Sequence, residues 1–313
     1  MSAEQLDNPV SYHQLEELED EFEEVELELI RQQTKLTKDL LAKREKLISQ
    51  IPNFWPLVFE QAPPDVDEYV QPSDAVVLAN SLVSLTVERF ELPGGDPRSI
   101  AIRWEFSEND YFEDKVLEKK FWWRRHRDGW AGLVSEPVTI NWKKGKDLTG
   151  GMLDLAKKVY EEDKAAGDAK PAGETEAKKA LNTLMEKTGL NGVSFFCWFG
   201  FAGRKVSEEE NKEAIKLEQE KRKALKEGKE VDVMDEDNED EDDDEDDEYE
   251  YEIFPTADDL AVFLAEDLYP GAIKYFLTAQ EQDGMSDLNF ESDDEMEDGD
   301  EDKAKPPSKK RKA

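Results

Sequence analysis

The forty residues from Ser11 to Gln50, SYHQLEELEDEFEEVELELIRQQTKLTKDLLAKREKLISQ, contain neither glycine nor proline. Apolar residues recur at Leu15, Leu18, Phe22, Val25, Leu29, Leu36 and Leu40. The early steps alternate three and four, the spacing of a heptad seam on an α-helix. Pro52 closes the stretch, because the residue before a proline is biased out of the helical region. At about 1.5 Å per residue such a helix runs roughly 60 Å. Its other faces read as Glu, Asp, Lys, Arg and Gln, which leaves the seam as the surface to bury. No other segment offers a matching seam; Val206 to Lys229 carries apolar residues only sparsely. The simplest partner is a second copy of the same helix. The alternative is a helix folded back over its own domain.

Charge is the second constraint. The 313 residues carry 41 Lys and Arg against 78 Asp and Glu, a formal net charge of −37. Fifteen acids fall in the eighteen residues from Asp235 to Glu252, and eleven in the twenty from Asp283 to Asp302, with no base in either run. Runs of this kind cannot bury enough apolar surface to fold alone. A chain so acidic repels nucleic-acid phosphates and is expected to have no direct sequence-specific contact with them; it suits a strongly basic partner. Cys197 is the only cysteine, so an intrachain disulfide is excluded, as fits a reducing compartment. The N-terminus lacks the basic flank and apolar core of a secretion signal, and no apolar run reaches the roughly 20 residues of a membrane span. The expectation is a soluble intracellular protein without membrane contact.

The order of patterns implies an α+β chain. Residues 1–10 read as a disordered N-terminus and 11–50 as the long helix. Residues 51–203 read as the first part of an α/β body. IPNFWPLVFEQAPP (51–64) is read as a proline-punctuated turn, and a short helix is expected within Asp74 to Asn80. Leu82 to Phe90 and Ser99 to Phe106 flank the turn Pro93-Gly94-Gly95-Asp96, an antiparallel hairpin signal. Val116 to Arg125 and Val138 to Trp142 are expected to complete a four-stranded antiparallel sheet with one wet face. Asp154 to Lys164 and Glu176 to Thr188 suit helices, and SFFCWFGF (194–201) must be core. Residues 204–252 read as a solvent-exposed charged helix and an acidic insertion. Residues 253–280 return to helical body with a break at Pro270-Gly271, and 281–313 form an acidic disordered tail with a basic end.

The search for catalytic chemistry yields no catalytic, cofactor or metal residues. His13 and His126, the only histidines, sit in no metal-spacing motif. No nucleophile elbow or zincin motif is present. Gly145 to Gly150 begins like a phosphate loop, but Gly151 and Met152 replace the required Lys and Ser/Thr. The run from Asp235 lacks the central glycine of a calcium loop. An enzyme is not expected.

IPNFW (51–55), YFEDKVLEKKF (111–121), WKKGKDLT (142–149), SFFCWF (194–199) and EDLYPGAIKYF (266–276) occur in the order seen in the nucleosome assembly protein family, and the chain resembles its SET/template-activating-factor branch in a fungal-like version. The resemblance covers most of residues 11–280. It implies a headphone-shaped homodimer, with long helices paired antiparallel and an α/β "earmuff" on each. It implies a nuclear histone chaperone, with shuttling to the cytoplasm left open, which binds core histones through acidic surface and tails and partners a histone lysine acetyltransferase. No cofactor follows from it. Dimerisation falls to Leu15, Leu18, Phe22, Val25, Leu29, Leu36 and Leu40. Histone contact falls to Asp258, Asp259, Glu266 and Asp267 around the terminal helix and to Asp242, Asp243, Asp244, Asp293, Asp294 and Glu295 in the acid runs. The cluster Lys309, Lys310, Arg311 and Lys312 is a candidate nuclear localisation signal. The long charged insertion between Gly203 and Glu252 departs from the compact pattern of that branch. The alternative is an acidic dimeric adaptor or enzyme inhibitor in the nucleus.

Overall fold

A computed structural model describes residues 12–166, 173–189, 192–226 and 250–294. Helix α1 (Tyr12–Ile48) leads into α2 (Phe54–Glu60), α3 (Pro64–Asp67) and α4 (Pro72–Ser81). Strands β1 (Leu82–Glu88), β2 (Ile100–Phe106), β3 (Val116–Arg125) and β4 (Ala131–Ser135) pair in sequence order as an antiparallel sheet. There follow α5 (Met152–Ala166), α6 (Glu176–Thr188), a 3₁₀ segment (Phe195–Gly200), α7 (Glu208–Lys226), α8 (Ala257–Phe263), a π-helical turn (Leu264–Leu268) and α9 (Tyr269–Asp294). The α+β class read from the sequence is the one observed.

Alternation gives the sheet its buried face. Trp104 stands opposite Leu85 and Leu117, and Ile100 opposite Phe121; all are buried. The 3₁₀ segment packs on this face, with Trp198 against Trp104 and Phe121 at ring separations of 6.1 and 5.4 Å. Lys119 lies on the same face, fully buried. Its ammonium donates to the carbonyl oxygens of Glu136, Phe199 and Phe201 at 2.8, 3.1 and 2.5 Å. Asp74, also fully buried, ties α4 to the start of the aromatic segment. It accepts from Gln71 N at 3.1 Å, Ser194 Oγ at 2.7 Å and Phe195 N at 2.7 Å.

Four expectations need correction. The fourth strand is Ala131–Ser135, not Val138–Trp142, which contributes only a bridge from Trp142 to Phe112. His126 N donates to Trp130 O at 2.8 Å and Gly129 turns at φ 99°, so the chain returns at once and residue 131 pairs with Arg125. The stretch after Pro52 holds a helix, α2, entered through Asn53 in the left-handed region at φ 56°. Pro56 falls in its first turn, where a missing N–H costs nothing. Pro270-Gly271 does not break the final helix. The π turn immediately before it widens the backbone where the proline ring would otherwise meet the preceding turn. Finally, α7 is not simply solvated: Ala214 and Asn211 are buried, and Asn211 Oδ1 accepts from Arg125 N at 2.8 Å.

Candidate acidic and self-association surfaces

The helix α1 has two working faces, not one. One is docked on its own body. Ile48 is buried, and the Arg44 guanidinium donates to Tyr269 O at 2.5 Å and lies over the Tyr269 ring at 4.3 Å. Leu27, Ile30, Thr34 and Leu41 on this face are partly buried. Nearer the N-terminus Glu23 pairs with Arg98 at 2.9 Å, Arg222 at 3.5 Å and Arg125 at 3.6 Å, and Asp20 pairs with Arg222 at 2.9 Å. The network joins α1, β3 and α7. Burial opposes ionisation of Glu23, yet the hydrogen bond and charge of Arg98, with Arg125 and Arg222, hold its carboxyl below the ordinary value. The expectation that only the seam could be buried is therefore too narrow.

The other face is the seam, and the described residues leave it bare. Leu15, Leu18, Phe22, Val25 and Leu29 are 50–60% exposed, and Leu36 and Leu40 74% and 65%. Leu47, 57% exposed, extends the row beyond the residues picked from the sequence; its four-residue step from Lys43 hid it. Eight large apolar side chains in one exposed row exceed the scattered surface residues of a monomer.

The acidic candidates divide. Glu266 pairs with Arg89 at 3.1 Å, and Asp267 accepts from Tyr275 Oη at 2.5 Å, so both serve contacts inside the chain. Asp258 and Asp259 open α8, where the helix N-terminus favours negative charge, and neither forms an ion pair among the described residues. Burial, reinforced by the Asp259 charge, raises the Asp258 carboxyl above the ordinary value. Sequence reasoning missed a neighbour of this pair. The Thr256 hydroxyl donates to Tyr69 Oη at 3.0 Å, and Tyr69 packs on Phe254 at 5.1 Å, which brings Asp67 and Glu68 to the same end of the body. Asp242, Asp243, Asp244, Glu295 and Lys309 to Lys312 lie outside the described residues, as do the side chains of Asp293 and Asp294.

The insertion has a definite base. Glu252 Oε1 accepts from Ala202 N at 3.0 Å and Gly203 N at 2.7 Å, so the chain leaves at Gly203 and re-enters beside it. The bases near its start are taken up locally: Arg204 by Asp128, Lys205 by Asp163, Arg127 by Glu213 and Lys212 by Glu208. The loop that began like a phosphate site is closed on itself. Asp147 accepts from Thr149 N, Thr149 Oγ1 and Gly151 N at 2.7–2.8 Å, leaving those donors none for an anion. Cys197 is buried and its thiol is pushed well above the usual range by burial, the condition of an inert core residue. No helix among the described residues is long and apolar enough to cross a membrane.

Comparison with known proteins agrees with this geometry. The family model described as Nucleosome assembly protein (NAP) matches residues 12–279. A putative nucleosome assembly protein of Schizosaccharomyces pombe is 33% identical over 149 residues, 44% of this chain and 59% of that protein. Protein SET of Drosophila melanogaster is 33% identical over 152 residues, 47% of this chain and 53% of that protein, so the matched stretch spans little more than half of either relative. Vacuolar protein sorting-associated protein 75 of Saccharomyces cerevisiae is 26% identical over 295 residues, 91% of this chain and 86% of that protein. Among solved structures, Vps75 aligns with a TM-score of 0.52 at 22% identity, covering 85% of this chain and 96% of that one. Ccp1 aligns at 0.51 and 24% identity, covering 86% and 95%. These likenesses concern the fold.

Proposed function

This chain belongs to the nucleosome assembly protein family, and we propose that it is a histone chaperone that works as a homodimer. The observation that carries the reading is the state of its charges. The chain holds 78 acids against 41 bases, and in the folded body Arg89, Arg98, Arg125, Arg127, Arg204 and Arg222 are each already paired with a carboxylate. What remains for a partner is predominantly anionic, since acids outnumber bases 78 to 41. Core histones are the Lys- and Arg-rich proteins of nucleosome assembly; an anionic surface screens them and competes with DNA phosphate for the same groups. Asp258 and Asp259 supply fixed carboxylates, and the acid runs, including Asp242 to Asp244 and Asp293 to Glu295, add many exchangeable ones. The α1 seam joins two such bodies.

The same reading places the protein in the nucleus, with Lys309 to Lys312 as its import signal, gives it no catalytic step, and makes a histone lysine acetyltransferase a secondary partner. The test is whether purified protein prevents precipitation of core histones with DNA at physiological salt. Prevention by this protein, and not by an unrelated protein of equal net charge, supports the reading. Equal binding of histones and lysozyme across a salt series would reduce it to nonspecific acidity.

A further inference from the structure

Helix α7 lies in the stretch that departs from the compact pattern, and its two ends are held by different physics. The start is anchored by packing and by local hydrogen bonds. Val206, Asn211 and Ala214 are buried, and Asn211 Oδ1 accepts from Arg125 N at 2.8 Å. Ser207 and Glu210 form a capping box: Ser207 N donates to Glu210 Oε2 at 2.8 Å, and Glu210 N donates to Ser207 Oγ at 3.2 Å. From Ile215 to Ala224 no side chain is buried, and Ile215 and Leu217 are exposed. What this second half offers its surroundings is charge. Arg222 meets Asp20 of α1 at 2.9 Å and Glu23 at 3.5 Å, and Glu218 meets Arg125 at 3.8 Å. Glu218 also holds Arg222 from one turn back, at 3.1 Å.

The surface that α7 meets is equally shallow. From Gln14 to Lys43 no side chain of α1 is buried; close packing begins at Arg44 and Ile48. Asp20 and Glu23 lie on the partly buried face of α1, apart from the exposed row of Leu18, Phe22 and Val25. All the ion pairs between the two helices are partly exposed, so each is weak by itself and screened by salt.

We propose that α7 is a strap, hinged at Asn211 and Ala214, which covers Asp20 and Glu23 of α1 and is released by competing charge while the body stays folded. Salt releases it by screening. A polycation releases it by taking the two carboxylates from Arg222. Release uncovers anionic surface on α1 and frees the end of α7 that leads to the acid run from Asp235. The strap is thus a built-in competitor of basic partners. Every contact in it lies within one chain, so it stands whether or not α1 pairs with a second copy.

Hydrogen exchange of the full chain, read by mass spectrometry, tests this between about 0.1 M and about 1 M NaCl, over which the screening length falls from about 10 Å to about 3 Å. In wild type the amides from Ile215 to Ala224 should exchange about tenfold faster in high salt, while those of β2 and β3 keep their rates. Asp20→Asn/Glu23→Gln leaves α7 and its internal pairs Lys212–Glu208, Lys216–Glu220 and Arg222–Glu218 intact. In that variant α7 should already exchange fast at low salt and respond little to more. Arg222→Gln should behave like it, and Arg222→Lys should keep most of the wild-type protection. At low salt, polylysine should speed exchange of α7 in wild type and leave the Asp20→Asn/Glu23→Gln variant unmoved. Unchanged rates in β2 and β3 show that each variant retains its body. Salt-independent protection of α7 in wild type overturns the proposal, as does wild-type protection in the Asp20→Asn/Glu23→Gln variant. Exchange of β2 and β3 rising in step with α7 also overturns it, because the body would then be opening as a whole.

Discussion

Lys119 and Glu252 grip the same short piece of backbone by its two opposite polarities. The Lys119 ammonium takes the carbonyl oxygens of Phe199 and Phe201, and the Glu252 carboxylate takes the N–H groups of Ala202 and Gly203. One residue comes from the centre of the sheet and the other from the end of the acidic run. Between them they fix where the aromatic core stops and where the insertion begins.

Lys119→Met keeps the stem volume and removes the donor. Buried groups left unsatisfied cost about 1–3 kcal/mol each, and the Glu136 and Phe201 carbonyls lose this donor while Phe199 O keeps Val138 N at 2.8 Å; removal of a desolvated charge offsets part of that. Net destabilisation by urea titration is expected, with loss of near-ultraviolet signal from Trp198. A neutral result would mean that water replaces the ammonium.

Glu252 supplies a pH signature. Burial raises its carboxyl above 4.5, the hydrogen bonds from Gly203 and Ala202 and the Lys119 charge opposing the shift only in part. Its Oε2 has no hydrogen-bond partner among the described residues. A raised folded-state value means that the native state binds more protons than the unfolded chain between 4.5 and the raised value. Stability from this group thus falls as pH rises through that window. Glu252→Gln keeps an acceptor for the two N–H groups and removes the titration. The difference in unfolding free energy between the two proteins should favour the Gln variant increasingly from pH 4.5 upward, and a flat difference would refute this assignment.

Asp163 behaves in the opposite sense. Lys178 and Lys205 reach its two oxygens at 2.9 and 2.7 Å, and both Lys178 and Asp163 are buried. Burial alone would raise its carboxyl, but hydrogen bonds from Lys205 and Lys178 prevail and hold it below 3.8. Its contribution is present above pH 3.8 and is lost as pH falls through the lower native value. Asp163→Asn removes the counter-charge from a buried lysine, at a cost of about 3–5 kcal/mol. Denaturant midpoints at neutral pH should show that gap, and it should narrow in acid; an unchanged gap below pH 3 would count against the ion pair as its source.

These contacts also mark what a reader of the sequence could and could not see. The seam and β2 were legible because their periodicity is local: Leu15 to Leu29, and Ile100 to Phe106, announce their faces within a few residues. Lys119 was not, because its three acceptors lie seventeen to eighty-two positions away and a lysine between Leu117 and Phe121 otherwise reads as solvated. The docked face of α1 was hidden for the same reason, since Arg44 is explained only by Tyr269. Strand choice between 131–135 and 138–142 turned on the tightness of the 126–130 turn, which composition does not specify. Of the acidic candidates, Asp258 and Glu266 are indistinguishable as letters; only the position of Arg89 separates them.

The seam itself is tested by Val25→Glu together with Leu29→Glu. Burying a charge without a partner is far more costly than truncating a buried leucine, itself about 2–5 kcal/mol, and symmetry applies the cost twice. The variant should sediment as a monomer at micromolar concentration while keeping its helix content, because Ile48, Arg44 and Glu23 hold the other face. A variant that stays dimeric would place the protomer contact elsewhere.

The division among the acidic residues gives the final prediction. Glu266 and Asp267 are held by Arg89 and Tyr275, so a histone must displace an existing contact to use either. Asp258 and Asp259 have no ion-pair competitor among the described residues, and burial of Asp258 beside the Asp259 charge makes a cation a favourable neighbour. Asp258→Asn/Asp259→Asn should therefore weaken core-histone binding more than Glu266→Gln/Asp267→Asn. At about 0.2–1 kcal/mol for an exposed pair, two lost contacts per body amount to roughly a two- to thirtyfold change in Kd. The deficit should shrink with added salt, since screening acts over about 8 Å at physiological ionic strength. Because the Asp258 carboxyl is raised, the advantage of wild type over the Asp258→Asn/Asp259→Asn variant should shrink as pH falls through that raised value. Titrating labelled histones against all three proteins at two salt concentrations and from pH 7 to pH 4.5 separates the alternatives. A larger loss from the Glu266/Asp267 variant would mean that histones break the Arg89 ion pair, and would move the contact surface from the start of α8 to the π turn.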